Sequence, residues 1–368
     1  MRMKKIMILA VAAIAMVGCS KTYDKVESLA EGTPIGFGVW GEQLTKAARI
    51  PGSSSFVEDG HTDNDFAVYG FKNRASGAPT TVTVFDDVVV STTDGSTWTY
   101  SPKRIWDTGY DSYTFFAVSP AAVGTAATVD PQTGEITSAT ITFAGNDNDI
   151  LVADKKLVTK TDGKFNNWGA VPIQFNHIAS LVDLKVKKHS NLSSATVAVT
   201  AISLEKINKT HTFGVSDAYT DNHPVVDWAT GFTAAAGNTG SYTNTSGVVS
   251  VATLPTDVTS NAAGDFLINN LVAMPQTFRN EGDYIQAVKI SYTIDVANGG
   301  TNTYTDVVIP LHTFDGSDND SNTAEFKSGW GAGKHITYYL TINAHTIEFT
   351  ASITGWGDVE NGYHYLIN

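Results

Sequence analysis

Cysteine is almost absent: among 368 residues only Cys19 carries a thiol. A disulfide framework, a thiolate zinc site and an iron–sulfur site are therefore excluded. Positive charge is scarce as well, with 24 Lys and Arg against 37 Asp and Glu and a formal net charge of −13. No basic face is on offer to a phosphate backbone, which argues against nucleic-acid binding. The one long apolar run, near the N-terminus, falls short of the roughly eighteen residues needed to span a bilayer. Outside that stretch no run repeats apolar side chains at the i, i+3, i+4, i+7 spacing of an amphipathic helix. What remains is 42% hydrophobic, 17% charged and rich in glycine, with 32. That mix can bury a sizeable core, and general disorder is excluded.

The lone cysteine stands at an informative place. Arg2, Lys4 and Lys5 precede an apolar run over residues 6–17, and Gly18 and Cys19 follow. A charged n-region, a short h-region and a small residue before the cut make an export signal, and the run is too short for a membrane anchor. Met16-Val17-Gly18-Cys19 resembles the bacterial lipobox, which implies signal cleavage between Gly18 and Cys19 and lipidation of Cys19. Acyl chains contribute about 0.8 kcal/mol per buried methylene, so two or three anchor stably. Removal of residues 1–18 takes away three positive charges and leaves the mature chain more acidic still.

After a polar tether over residues 20–33, short alternating runs separated by Gly, Asn, Asp and Pro continue to the C-terminus. Phe66-Ala67-Val68-Tyr69-Gly70-Phe71, Tyr113-Thr114-Phe115-Phe116-Ala117-Val118 and Ile336-Thr337-Tyr338-Tyr339-Leu340-Thr341-Ile342 are examples. Period-two alternation with abundant Thr, Val and Tyr predicts half-buried strands and an all-β sandwich architecture. The turn-rich stretch 161–169 suggests a division near residue 170. The expected plan is a signal peptide (1–18), a lipidated N-terminal segment (19–49), an N-terminal β-sandwich domain (50–170) and a C-terminal one (171–368), both of ordinary domain size.

Several motifs occur together in one order. They are Trp98-Thr99-Tyr100-Ser101-Pro102 with Trp106, Tyr113 through Pro120, Asp149-Ile150-Leu151-Val152-Ala153, residues 172–181, Leu271-Val272-Ala273-Met274-Pro275-Gln276, and Gly333-Lys334-His335-Ile336-Thr337-Tyr338 through Trp356. This series, after a lipobox, resembles the fimbrillin-like lipoproteins of Bacteroides-type bacteria. The resemblance implies two tandem transthyretin-like β-sandwich domains in a fimbrial (pilus) subunit that polymerises by β-strand exchange. It implies an outer-membrane lipid anchor through Cys19, a place at the cell surface in the fimbrium, and other fimbrial subunits as partners. It also implies an Arg-specific maturation protease that removes an N-terminal strand and opens a groove for another subunit's strand.

On this chain the strand to be removed is residues 34–40: Ile35, Phe37 and Val39 point to one face, with Gly36 and Gly38 opposite. The cut falls between Arg49 and Ile50, in a small, polar, Gly-rich stretch, with Lys46 as a secondary choice; an ordinary surface loop is the alternative. On the donor side Tyr363, Tyr365 and Ile367 alternate as an inserting strand does, although the twelve residues after Trp356 reach only about 40 Å. A final strand of the second half is the competing reading, and it would suit a tip or minor subunit.

Features that look chemical read otherwise. Gly329-Trp330-Gly331-Ala332-Gly333-Lys334 has three residues between its outer glycines rather than four and leads into a strand, so it predicts a tight turn rather than a phosphate loop. The oxygen-rich stretches 61–65 and 315–320 lack the EF-hand ladder and read as solvated turns. No HExxH pair or GxSxG elbow occurs, so no metal, cofactor or catalytic residue is assigned and the protein is read as no enzyme. His177 reads as a structural hydrogen-bonder and the tryptophans as core. The alternative function is a monomeric cell-surface lipoprotein that binds a glycan or host receptor protein.

Overall fold

A computed structural model describes residues 28–29, 32–41, 65–74, 81–93, 97–124, 128–130, 136–142, 149–166, 170–220, 223–227, 239–243, 254, 266–279, 285–313, 329–344 and 346–355. The described chain is almost wholly β, as the alternation predicts. Nine strands form a first sheet. Its main path runs Ser28–Leu29, Lys164–Asn166, Lys156–Thr161, Ser112–Ser119, Leu151–Ala153, Val171–His177 and Phe37–Gly41. Asp65–Asn73 pairs with Ser112–Ser119, and Thr81–Ser91 adds to its far side. Of three four-stranded sheets, two form the second group of strands. One is ordered Phe266–Ala273, Ser180–Lys188, Lys334–Ile342, Ile347–Gly355, and the other Thr239–Thr243, Ala195–Asn208, Ala287–Val296, Gly300–Pro310.

The two four-stranded sheets share one apolar core. Val182, Leu184, Val186, Ile336, Tyr338 and Leu340 come from the first, and Val197, Leu204, Val288 and Ile290 from the second. The alternate residues Val182, Leu184 and Val186 of Ser180–Lys188 enter that core, the pattern of a sandwich strand. Asp183 and Lys185 between them, and Lys188 at the strand end, are buried too. Asp183 holds His335 at 2.9 Å, and Lys188 donates to the Ala195 carbonyl at 2.7 Å.

The first sheet departs from the half-buried expectation. Along Ser112–Ser119, Tyr113, Phe115 and Ala117 enter one core cluster, while Phe116 and Val118 enter another. In Asp65–Asn73, Phe66 and Val68 face the first cluster and Ala67, Tyr69 and Phe71 the second. Both faces are covered because the later half supplies Ile178, Ala179, Leu181, Val272 and Met274 to the second cluster. A strand buried on both faces reads as a continuous apolar run, which is what residues 66–71 and 113–118 contain. Thr210–Thr220 also pairs with Ile136–Thr142, so a backbone ladder joins early and late parts of the chain.

The passage from the first sheet to the second group falls between His177 and Ser180. Val171–His177, expected to open the second half, pairs with Leu151–Ala153 and Phe37–Gly41 in the first sheet. Its Val171, Ile173 and Phe175 belong to the aromatic core, which holds it there. Gly329–Lys334 forms the expected tight turn into a strand. Gly329 is required at its place because a Cβ there would lie 1.8 Å from the Gln276 carbonyl oxygen.

Two tests follow from the core. Buried Trp330 donates its indole N–H to the Tyr338 hydroxyl at 2.8 Å. Tyr338→Phe strands that donor and should lower stability by about 1–3 kcal/mol in denaturant unfolding. Burial also raises the phenol pKa values: Tyr113 is pushed up to about 12, and Tyr69, Tyr242 and Tyr338 lie well above the ordinary 10.0. The fold favours the neutral phenol, so this contribution is complete below pH 10 and is lost as the pH climbs toward 12. Phenolate absorbance from these four tyrosines should therefore appear only with alkaline unfolding; titration of Tyr113 or Tyr338 near pH 10 in a still-folded protein, read by difference against the Tyr→Phe variants, would contradict this.

Candidate assembly groove

The stretch Ile35-Gly36-Phe37-Gly38 alternates large apolar side chains with residues that have none, so it makes a one-faced strand. It occupies the end of the first sheet. Phe37–Gly41 runs parallel to Val171–His177, with Phe37 opposite Val171 and Gly41 opposite Phe175. The preceding residues are gripped from both sides. Val171 N–H donates to the Gly36 carbonyl at 2.8 Å, while Ile35 N–H donates to the Arg104 carbonyl at 2.8 Å and Trp106 N–H to the Thr33 carbonyl at 3.1 Å. Pro34 bridges Ile105 in antiparallel sense. The Tyr100 hydroxyl donates to the Ile35 carbonyl at 2.6 Å and is in reach of the Arg104 N–H at 3.2 Å.

Ile35 is fully buried and Phe37 nearly so. The Phe37 ring meets Phe66, Phe85, Tyr100 and Phe115 edge-on at centroid distances of 6.3, 5.3, 5.6 and 5.9 Å. Room for these rings depends on Gly70, where a Cβ would stand 2.8 Å from the Phe85 ring and 3.1 Å from that of Phe115. Burial of each of the two side chains contributes about 1.5–3 kcal/mol, and the aromatic pairs about 0.5–1.5 kcal/mol each. A segment only a few residues long is therefore firmly seated, and its loss would leave both an apolar slot and an unpaired strand edge.

Of the residues singled out in the sequence, Ile35 and Phe37 come together in this core, and Val39 lies opposite Ile173 in the backbone register. Gly18, Cys19, Lys46, Arg49, Ile50, Tyr363, Tyr365 and Ile367 lie outside the described residues, as do the stretches 61–64 and 315–320. Asp65 is described: its Oδ1 accepts the Ala121 N–H at 2.9 Å, a structural contact. His177 Nδ1 lies 3.1 Å from Asp149 Oδ1, both buried, as a structural hydrogen-bonder should. Trp98, Trp106 and Trp330 are buried, so none of these three presents a face to a sugar ring. Among the described residues no cluster of His, Cys, Asp or Glu is arranged to hold a metal ion, and no helix is long and apolar enough to cross a membrane.

The walls of the groove were not assigned from the sequence. Tyr100, Arg104 and Trp106 form one side, and the backbone of Val171–Phe175 the other. Their signal was the aromatic motif around Trp98 and Trp106, but nothing in it names Pro34 and Ile35 as its partners. The tether reading of residues 20–33 also changes, since Ser28 and Leu29 pair with Asn166 and Phe165.

Comparison with solved structures shows the same fold. A fimbrial protein from Bacteroides vulgatus superimposes with a TM-score of 0.54 at 19% identity, covering 88% of this chain and 99% of that one. A candidate cell adhesion protein from Parabacteroides distasonis gives 0.51 at 10% identity, covering 90% and 99%. The tip fimbrial protein Mfa3 from Porphyromonas gingivalis, with C-terminal truncation, gives 0.36 at 12% identity over 79% and 94%, too loose a fit to bear on the argument. No curated protein matches the chain. The fimbrillin-like family profile matches residues 57–356, most of the chain. The chain belongs to the fimbrillin-like family.

Proposed function

We propose that this chain is a structural, non-enzymatic subunit of a surface fimbria that contributes to adhesion. It is exported as a lipoprotein, anchored to the outer membrane through Cys19, and joins other fimbrial subunits by strand exchange after an Arg-specific protease cuts between Arg49 and Ile50. Two sandwich domains meeting at residues 178–179 make up the body. One observation carries this reading. Residues 33–41 fill a slot between the 104–106 segment and Val171–Phe175, and they precede Arg49 in the chain, so a cut there separates the filling strand from its slot. The family match beginning at residue 57, past Arg49, supports the same division. The segment after Trp356, with Tyr363, Tyr365 and Ile367, is the proposed donor strand. Burial of Trp98, Trp106 and Trp330 weighs against a tryptophan-based sugar site of a monomeric binder.

The cut is tested on purified precursor treated with an Arg-specific protease. The expected result is one nick after Arg49, release of the N-terminal segment and appearance of oligomers; a resistant monomer overturns the reading. Seating strength is tested separately with Phe37→Ala. Removing a buried ring costs about 3–5 kcal/mol, so the nicked variant should lose its strand and oligomerise faster than the nicked parent. Hydrogen exchange at Val171 and Ile173 should rise before any global unfolding, and unchanged exchange there would show that Phe37 does not hold the strand.

A further inference from the structure

An open cavity of about 540 Å³, sharing the 104–106 wall with the groove, lies between the 82–84 part of Thr81–Ser91 and residues 103–107. Its lining includes Lys72, Lys103 and Arg104 against a single acid, Asp107, in a chain whose net charge is −13. Lys72 and Arg74 also share one ring, each 4.1 Å from the centroid of Tyr110. Like charges gathered this closely disfavour one another unless an anion joins them. Asp107 answers one of them: it holds Lys72 at 2.6 Å and accepts the Gly109 N–H, and the Lys72 hydrogen bond, ahead of the opposing effect of burial, keeps its carboxyl below the usual range. Lys103 lies over the Tyr100 ring at 4.5 Å and makes no ion pair among the described residues. Arg104 gives its Nε to the Val84 carbonyl and one terminal nitrogen to the Pro102 carbonyl, which orients the guanidinium and leaves the other terminal nitrogen without a partner among the described residues.

The ligand class follows from what surrounds the cations. Ile105, 51% exposed, offers an apolar surface at the cavity, and the exposed Thr83 offers a hydroxyl. An apolar patch, a hydroxyl and convergent cations match a sugar ring with a carbon–hydrogen face and a carboxylate or sulfate group. The volume is that of a small-ligand cleft. A long polyanion or an anionic membrane meets the field of the whole acidic chain and is repelled, whereas a short acidic saccharide meets only the local cations. We propose that this cavity binds an acidic saccharide, with Lys103 and Arg104 on its anionic group and Ile105 against its ring. The cavity shares Arg104 and Ile105 with the groove wall, so binding is read on the chain with residues 33–41 in place.

The test uses the full mature chain and calorimetric titration with oligogalacturonate and a sulfated heparin-derived oligosaccharide. Neutral dextran oligosaccharide, inorganic phosphate and phosphatidylglycerol vesicles serve as the other arms. At least one acidic saccharide should bind, more weakly as salt is raised, with dextran, phosphate and vesicles at least about tenfold weaker. Lys103→Glu and, separately, Ile105→Asp change exposed side chains. Each should weaken binding about tenfold or more with the melting temperature unchanged. Absence of binding by both acidic saccharides, equal binding of phosphate or vesicles, or undiminished binding by both folded variants overturns the proposal.

Discussion

Backbone hydrogen bonding along Val171–Phe175 is the constraint on which the rest depends. The side chains of Val171, Ile173 and Phe175 are buried in an aromatic core, so the peptide groups between them cannot turn away to water without dismantling it. Buried N–H and C=O groups must find partners. Residues 36–41 supply them along one side, while on the other the Asp154 N–H donates to the Gln174 carbonyl and Leu151–Ala153 pairs from Phe175 onward. The N-terminal segment is thus a requirement of the first sheet, and the aromatic rings around Phe37 fix which residues can meet it.

The same core decides how the two groups of strands are joined. Asp65–Asn73 and Ser112–Ser119 each place rings on both faces, and a single sandwich could cover only one. The far face is closed by Ile178, Leu181, Val272 and Met274 at the ends of later strands. Beside this contact, Ser180 donates to the Gly331 carbonyl and Gly333 N–H to the Ala179 carbonyl. Docking of the second group is therefore part of the stability of the first, and a polar surface on residues 67–71 would forfeit it.

Much of this was legible in local pattern. Strand content followed from alternation, the 329–334 turn from its glycines, and the one-faced character of residues 35–37 from Ile35, Gly36 and Phe37 in sequence. Burial of Trp98, Trp106 and Trp330 followed from their place within motif segments. What stayed hidden depends on contacts distant in sequence. Nothing near Pro34 indicates Ile105, and nothing near Phe37 indicates a parallel partner at Val171. Assignment of 171–177 to the later half went astray because a strand carries no mark of the sheet it joins. The cations at 72, 103 and 104 are ordinary surface charges until the fold brings them to one cavity.

Residues 33–41 are covalently continuous with the sheet that they complete. Their seating is therefore governed by an effective concentration set by that continuity rather than by the amount of any rival strand in solution. Even a better-fitting rival loses while that connection persists. Severing it turns the resident strand into a dissociable ligand and replaces local concentration with bulk concentration, so the outcome passes from chain connectivity to intrinsic fit. Filling of the slot by another copy, as proposed, would also be non-reciprocal, since the surface that receives a strand differs from the one that offers it. In the exchange proposed above, such contacts would not close on themselves as a two-fold dimer does, and they would set a direction of growth.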